Sequence, residues 1–202
     1  MKIAILVEGA TEMAFRKKLH EFLQSRLERK MPRLDFKPQH GGIPKQKKLK
    51  LIVENFLDND GYDAVIALTD VYTGKPDFKD ANDAKDKMRR WVEKNPKFYP
   101  HTALHDFEAW LLPYWKTIQK LAKPNRSAPS GSPETVNHQK PPSYWIKEIF
   151  RTGKRGKDYN KVIDGMAILK NNDLMIAINA CPELKAFVYR IISLCDEEKI
   201  IS

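Results

Sequence analysis

The stretch that decides the fold is Lys2-Ile3-Ala4-Ile5-Leu6-Val7-Glu8-Gly9, in which an unbroken apolar run ends at an acid. A short continuous run of this kind is typical of a strand that helices cover on both faces. It superficially resembles a secretion signal, but the run is too short for the apolar region of one and Glu8 interrupts it at once. We therefore predict a buried first strand.

The residues that follow alternate between strand and helix patterns. Ala64-Val65-Ile66-Ala67-Leu68 is a second buried-type strand, and weaker strands are predicted at 33–39 and 98–104. Pro100 restricts the last of these to an early position or to the edge of a sheet. Helical spacing of apolar residues is found at 15–27, 49–57, 84–92 and 106–112. This alternation predicts an α/β fold with a mostly parallel sheet between two helical layers.

The last third of the chain has a different composition. Residues 123–143 are rich in Pro, Ser, Asn and Gly, which predicts a loop. Helical patterns resume at 144–150 and at 174–194. We therefore expect residues 1–122 to form the α/β core, 123–143 a Pro/Ser-rich loop, and 144–202 a C-terminal helical extension packed on the core.

Composition narrows the class of protein. The chain has 202 residues, of which 42% are hydrophobic and 31% charged, so neither a disordered chain nor a membrane protein is expected. Cys181 and Cys195 match no metal-ligand spacing, which predicts a cytoplasmic protein without a zinc site. The net charge of +10 favours a polyanionic partner such as nucleic acid. Composition leaves the oligomeric state open.

Three acidic residues lie at the ends of predicted strands. Glu8 follows the first strand, Asp70 ends the third, and Glu108 comes shortly after the fourth. Because ligands of open α/β sheets bind at the carboxyl ends of the strands, these carboxylates are expected to meet there. Such oxygen ligands suit Mg²⁺ or Mn²⁺. The plainer alternative for Glu8 and Glu108 is that each stabilises the N-terminus of the next helix.

Four short motifs together resemble a known family. They are Val7-Glu8-Gly9-Ala10-Thr11-Glu12, the segment from Asp70 to Phe78, His105-Asp106-Phe107-Glu108-Ala109, and the segment from Tyr159 to Gly165. In order and combination they resemble the bacterial family of domains of unknown function numbered four-two-seven-six, from Val7 to about Leu194. The first motif also resembles the opening of TOPRIM (topoisomerase-primase) domains, where the strand-end Glu is catalytic or metal-associated.

The resemblance implies a fold and a function. The family is similar to the TOPRIM-containing OLD and RloB-type proteins, and its own genes often neighbour those of ATPases in phage-defence settings. It implies a Rossmann-like, TOPRIM-type sheet, a nuclease dependent on Mg²⁺ or Mn²⁺, and an ATPase partner.

The chain departs from the TOPRIM pattern at one position. TOPRIM domains carry Asp-x-Asp after the third strand, whereas this chain has Asp70-Val71-Tyr72. Tyr72 cannot replace a carboxylate at neutral pH, because the pKa of its phenol is about 10. It could stack or donate a hydrogen bond to a phosphate, and packing is its plainer role. Asp77 or Glu108 could restore the missing charge.

Two groups of basic residues are candidates for nucleic-acid binding. Lys45 follows Gly41-Gly42, where glycines could let the backbone approach a phosphate, although a solvated helix face is the plainer and favoured explanation of this lysine. The second group is denser and contains two glycines, so it could wrap a nucleic-acid backbone. Its members are Arg151, Lys154, Arg155 and Lys157.

Two further residues are candidates for catalysis. Lys161 lies in the Tyr-x-Lys part of the last motif and is predicted to place a cation at the scissile phosphate, with a surface lysine as the alternative. His105 precedes Glu108 by three positions and is a candidate general base, with a packed or capping histidine as the alternative.

The leading hypothesis is a metal-dependent nuclease. Glu8, Asp70, His105 and Lys161 would be catalytic, and Glu8, Asp70 and Glu108 would hold the metal. The alternative is a non-catalytic nucleic-acid-binding or regulatory subunit of an ATPase. A phosphoacceptor domain built on Asp70 ranks last, because the first strand is not followed by an adjacent acidic pair. The sequence leaves DNA or RNA, and endonuclease or exonuclease, open.

Overall fold

The computed structural model describes residues 1–27, 30–39, 41–72, 77–123, 126–135, 140–153 and 158–197, apart from the side chains of Ala10, Thr11 and Glu197. Four strands form its sheet: β1 (Lys2–Val7), β2 (Arg33–Pro38), β3 (Ala64–Val71) and β4 (Phe98–Leu104). They pair in the order β2-β1-β3-β4, and every pair is parallel. The predicted α/β fold with a parallel sheet is confirmed, and its architecture is Rossmann-like.

Strand β1 shows why its sequence is apolar throughout. Ile3, Ile5 and Val7 pack into a cluster on one face of the sheet, whereas Ala4 and Leu6 pack into a second cluster on the other. All five are fully buried. Because successive side chains of a strand point to opposite faces, a strand covered on both sides needs apolar residues at every position.

The first half of the chain supplies helices to both faces. Helix α1 (Ala10–Gln24) contributes to the cluster around Ile3 and Ile5. Helix α2 (Gln46–Glu54), which continues into a π-helical turn at Asn55–Asn59, and helix α3 (Ala81–Trp91) cover the opposite face. After β4 comes a 3₁₀ helix at Phe107–Tyr114, followed by α4 (Trp115–Ala122).

The C-terminal part is wholly helical in its described segments beyond Pro141, apart from short connections. It contains α5 (Pro142–Thr152), α6 (Ile163–Lys170), α7 (Leu174–Ala180) and α8 (Pro182–Glu197). The prediction of one helix over 174–194 is wrong, because the chain breaks at Cys181 and Pro182 begins a new helix where its missing N–H does no harm. Helix α6 was not predicted. Ile146 and Phe187 share the cluster that contains Phe15 of α1, so these helices and the sheet have a common core.

Glu134 anchors the Pro/Ser-rich segment to this core. Its buried carboxylate accepts hydrogen bonds from the indole Nε1 of Trp110 at 3.0 Å and from the backbone N–H groups of Glu183 at 3.0 Å and Leu184 at 3.3 Å. Those backbone groups lie in the first turn of α8, where helical N–H groups otherwise lack partners.

Among the described residues no helix combines the length and apolarity that crossing a membrane requires.

Candidate active site at the carboxyl edge of the sheet

The strand order creates a crevice beside β1. Helix α1 leads from β1 to β2, and the chain then passes back across β1 to β3. In open α/β sheets this change of direction leaves a crevice at the carboxyl ends of the two central strands, and ligands bind there. Glu8 follows β1 directly, and Asp70 lies at the end of β3. Two residues that are distant in sequence therefore share the crevice.

Glu8 is held in place by strand β3. Its Oε1 accepts a hydrogen bond from the hydroxyl group of Thr69 and another from the backbone N–H of Asp70 at 3.0 Å. These bonds fix one carboxylate oxygen. The Glu8 carboxylate therefore cannot swing freely away from Asp70.

A cleft of about 220 Å³ opens beside Glu8 and Asp70. Gly41 and Gly42 line it with φ angles of 95° and 108°, a conformation that glycine adopts without steric cost. The other candidates that line it are Lys45, Tyr72 and Asp77. Lys45 Nζ lies 2.6 Å from Asp77 Oδ1, in an ion pair that is about half exposed. The structure therefore places these three predicted residues in the same cleft as Glu8 and Asp70.

Asp70 lies within a cluster of carboxylates. Burial raises its pKa well above the usual value, and the negative charges of Glu8, Glu12, Asp106 and Glu108 raise it further. The charges of predicted Glu8 and Glu108 therefore act on Asp70, as do those of two acids that the sequence analysis did not propose, Glu12 and Asp106. We call these five residues the acidic cluster.

Three members of the acidic cluster are buried. The exposed fraction of Glu12 is 4%, and those of Asp106 and Glu108 are 0%. Burial is the main cause that raises the pKa of each. Asp106 Oδ2 accepts a hydrogen bond from the backbone N–H of Ser143 at 3.2 Å, whereas its buried Oδ1 has no hydrogen-bond partner among the described residues. This oxygen of a buried acid is open to a further hydrogen-bond donor or to a cation.

Lys161 brings a positive charge to the acidic cluster. Its Nζ lies 3.2 Å from Glu108 Oε1. Burial lowers the pKa of this lysine, but Glu108, Asp106 and Asp70 outweigh that effect and raise it, so the ammonium group stays protonated. The predicted lysine of the last motif thus reaches the strand-end acids from the C-terminal part of the chain.

Two tyrosines lie near these acids. The pKa of Tyr72 is raised, first by burial and then by Asp106 and Asp70, so its phenol is protonated as the sequence analysis expected. The hydroxyl group of Tyr159 is buried and has no hydrogen-bond partner among the described residues. Burial and the charge of Glu108 raise its pKa as well. Both tyrosines are therefore hydrogen-bond donors at neutral pH.

The acidic cluster suits a hard divalent cation only in part. Its donors are carboxylate oxygens, and Mg²⁺ is commonly held by one or two carboxylates together with waters and substrate phosphate oxygens. Across the described ranges, however, no three His, Cys, Asp or Glu side chains are arranged to hold one ion. A site with two protein carboxylates therefore fits, whereas the predicted three-ligand set of Glu8, Asp70 and Glu108 stays a prediction.

The remaining predicted residues either make none of these contacts or lie outside the residues that the structure describes. Gly9 is the extended residue that precedes α1. Burial lowers the pKa of His105, and its role as a base stays a prediction. Arg151 is exposed and pairs with Glu148 at 2.9 Å. Lys154, Arg155 and Lys157 lie outside the described residues.

The sequence analysis missed Glu12, Asp106 and Tyr159 as functional candidates, although all three lie in the quoted motifs. Glu12 lies in the first turn of α1, just after Glu8 and Gly9, so its place near the end of β1 could have been read from the sequence. Asp106 carries no such signal, because the sequence does not reveal which acids next to a strand are buried.

Comparison with known proteins gives one match. A sequence model of a family described as Domain of unknown function (DUF4276) matches residues 7–192. No curated protein and no solved structure matches the chain. The match begins just before Glu8 and includes every residue of the acidic cluster.

Proposed function

The chain belongs to the DUF4276 family, and from that premise we propose that it is a TOPRIM-like nuclease that hydrolyses phosphodiester bonds of DNA or RNA with Mg²⁺ or Mn²⁺. The observation that carries the proposal is the position of Glu8 beside Asp70 at the crevice, where the backbone N–H of Asp70 donates to Glu8 and the charges of further acids act on Asp70. Membership confirms the family part of the resemblance. Its TOPRIM-like character, its activity and its metal are the proposal.

The energetics of the acidic cluster support a cationic ligand. Removing carboxylates from water is costly unless they are paired, and like charges side by side add to that cost. Lys161 is the cation that directly contacts a cluster carboxylate within the described part of the chain. One lysine compensates only part of the charge of Glu8, Glu12, Asp70, Asp106 and Glu108. A bound divalent ion would compensate more of it.

The residues that would hold the ion are Glu8 and Asp70, at the ends of neighbouring strands. When bound, Mg²⁺ or Mn²⁺ would neutralise charge on a phosphate and generate a nucleophile from water. Thr69 and the backbone of Asp70 keep Glu8 oriented for this role.

Other groups of the chain would act on the substrate directly. Lys161, positioned by Glu108, would stabilise negative charge that develops on the phosphate. The protonated phenol of Tyr72 would donate a hydrogen bond to a phosphate oxygen in the cleft. The backbone of Gly41 and Gly42 allows close approach, since neither residue has a side chain to obstruct it.

The charge of the whole chain supports a nucleic-acid substrate. A net charge of +10 attracts polyanions over long distances. We further propose an ATPase partner in phage defence, for which the resemblance to OLD and RloB-type proteins is the support.

The direct test is a cleavage assay. The purified chain is incubated with plasmid DNA, single-stranded DNA and tRNA, with Mn²⁺ or with EDTA. We expect cleavage only with metal, and a loss of about two orders of magnitude or more in Asp70→Asn and Glu8→Gln. Asp58→Asn removes an exposed carboxylate from the π-helical turn and serves as the matched control. Cleavage that persists in both cluster variants would exclude this mechanism.

A second candidate is a nucleic-acid-binding or regulatory subunit without catalysis. Two observations favour it: Tyr72 stands where TOPRIM domains have a carboxylate, and no three-ligand metal group is found in the residues described. Oligonucleotide binding that is unchanged by EDTA, without cleavage under any metal condition, would establish this alternative. Cleavage that Asp70→Asn abolishes would eliminate it.

A further inference from the structure

A second cleft lies at the other end of the sheet. Its volume is about 410 Å³, and it runs along the first half of β4 between α3 and α8. Because β4 is the edge strand of the sheet, no other strand of the described residues covers this side. We call it the basic cleft, and its defining residues are Lys85, Arg89, Tyr99, His101, Tyr189 and Arg190.

Three cations converge on this cleft from two helices. Lys85 and Arg89 lie one turn apart on α3, and Arg190 lies on α8. Lys85 Nζ pairs with Glu183 at 2.6 Å, and Arg89 pairs with Asp86 at 3.2 Å in an exposed pair. Arg190 packs over the ring of Tyr99 at 4.8 Å, and no carboxylate of the described residues lies within 4.0 Å of it. The cleft therefore has positive charge that neighbouring carboxylates do not fully neutralise.

His101 is an unsatisfied polar group in the wall of the basic cleft. Its side chain is 7% exposed, and its Nδ1 has no hydrogen-bond partner among the described residues. The imidazole packs edge-on against Phe187. An unpaired buried nitrogen costs stability and is an observation independent of the three cations.

Two tyrosines give the cleft an aromatic surface. Tyr99 carries the guanidinium of Arg190, and Tyr189 is 50% exposed. An exposed aromatic ring beside cations, as Tyr189 provides, is an arrangement in which a nucleobase stacks while the cations contact its phosphate.

We propose that the basic cleft binds the phosphate group of a nucleotide, at a site separate from the acidic cluster. Two arginines and a lysine suit a phosphate dianion better than they suit a ligand with a single carboxylate. The reason is that each planar guanidinium group can donate two hydrogen bonds to phosphate oxygens. The volume of the cleft is within the usual range of small-molecule pockets, so an organic group fits beside the phosphate. The phosphate could belong to a free mononucleotide or to a nucleic-acid strand.

The test is calorimetric titration of the full chain in EDTA, which excludes metal-dependent binding at the acidic cluster. The ligands are pyrophosphate, adenosine monophosphate, adenosine without phosphate, and a short single-stranded oligonucleotide. We expect binding of the monophosphate and not of adenosine. Arg89→Gln with Arg190→Gln should weaken binding about a hundredfold. Lys116→Gln with Lys120→Gln, which removes two exposed charges from α4, should change it less than twofold.

A site-specific signal accompanies the titration. The imidazole ¹⁵N resonances of His101 should shift as the monophosphate is added, and the arginine pair variant should abolish that shift. Binding of the monophosphate as tight as that of the oligonucleotide would identify a free nucleotide as the source, and much tighter oligonucleotide binding would identify a strand. The proposal is overturned if no phosphate ligand binds, or if the arginine pair and the lysine pair weaken binding equally.

Discussion

At the scale of single residues, Asp70 carries a charge that the native state tolerates poorly. Burial and four neighbouring carboxylates raise its pKa well above 3.8. A carboxyl group with a raised native-state pKa binds its proton more tightly when folded, so the native state loses stability as the pH rises above the unfolded value. This loss of native stability is absent in strong acid and is complete at a pH above the raised pKa of Asp70.

Asp70→Asn is therefore expected to stabilise the metal-free protein. The gain in the free energy of unfolding should be near zero at pH 3.5 and should reach about 1–3 kcal/mol at pH 7.5. Urea unfolding at both pH values in EDTA measures it. Asp58→Asn, at an exposed site, should show no such pH dependence. A destabilised Asp70→Asn at pH 7.5 would mean that the carboxylates do not repel one another.

His101 has the opposite linkage to pH. Burial, reinforced by Lys85, Arg190 and Arg89, lowers its pKa from 6.5 to about 3. The unfolded chain therefore binds the proton more readily, and native stability falls as the pH drops from about 6.5 towards 3. Above pH 6.5 the imidazole is neutral in both states and this effect vanishes.

The expected slope from His101 is at most about 1.4 kcal/mol per pH unit between pH 6 and pH 4. His101→Gln should flatten the decline of the unfolding free energy over this interval, and urea unfolding at pH 7, 6, 5 and 4 measures it. His20→Gln changes an exposed histidine and is the control. If the unfolding free energy depends equally on pH in the unsubstituted protein and in His101→Gln, another group causes the acid sensitivity.

At the scale of elements, Gly153 sets the contact between α4 and α5. It follows the last residue of α5, and a Cβ on it would overlap the carbonyl oxygen of Ala122 at the end of α4. Because the obstacle is backbone, neither helix can yield by rotating a side chain. The two helix ends can therefore meet only if this residue is glycine.

Gly153→Ala is expected to destabilise the protein by about 3 kcal/mol, the upper range for overpacking. Gly165→Ala is the matched control, since a Cβ there meets only side chains at ordinary distances and α6 would gain about 0.5–1 kcal/mol from alanine. Thermal melting of both variants tests the contrast. Similar melting temperatures would contradict the close approach of α4 and α5.

Elements also show which patterns are readable in the sequence. All four strands were predicted, including β4, whose Pro100 fits the edge position that the sheet order confirms. Helix α6 was missed because Ile163 and Met166 are exposed, so its apolar residues do not form a single buried stripe. The break at Pro182 was missed because apolar residues continue on both sides of it.

At the scale of the whole molecule, metal binding should be visible as stability. An ion that binds the acidic cluster of the native state and not the unfolded chain stabilises by about 1.4 kcal/mol when its concentration is ten times its Kd. We expect Mn²⁺ or Mg²⁺ to raise the melting temperature of the native chain and to raise that of Asp70→Asn much less. The melting temperatures are measured in Ca²⁺-free buffer at constant ionic strength, so that salt screening of charges does not contribute to the difference. Identical shifts in both proteins would place the ion elsewhere.

The sequence by itself determined the layered α/β fold and the strand-end position of Glu8 and Asp70. Both follow from local sequence, because a strand covered on two faces must be apolar along its length and the first charged residue after the apolar run marks where the strand ends. The order β2-β1-β3-β4, and hence which strand ends adjoin, was decided only by the tertiary structure. So were the burial of Asp106 and Glu12, the contact of Lys161 with Glu108, and the basic cleft at the edge strand. Each of these depends on residues far apart in the chain that come together only when helices of the last third pack on the sheet.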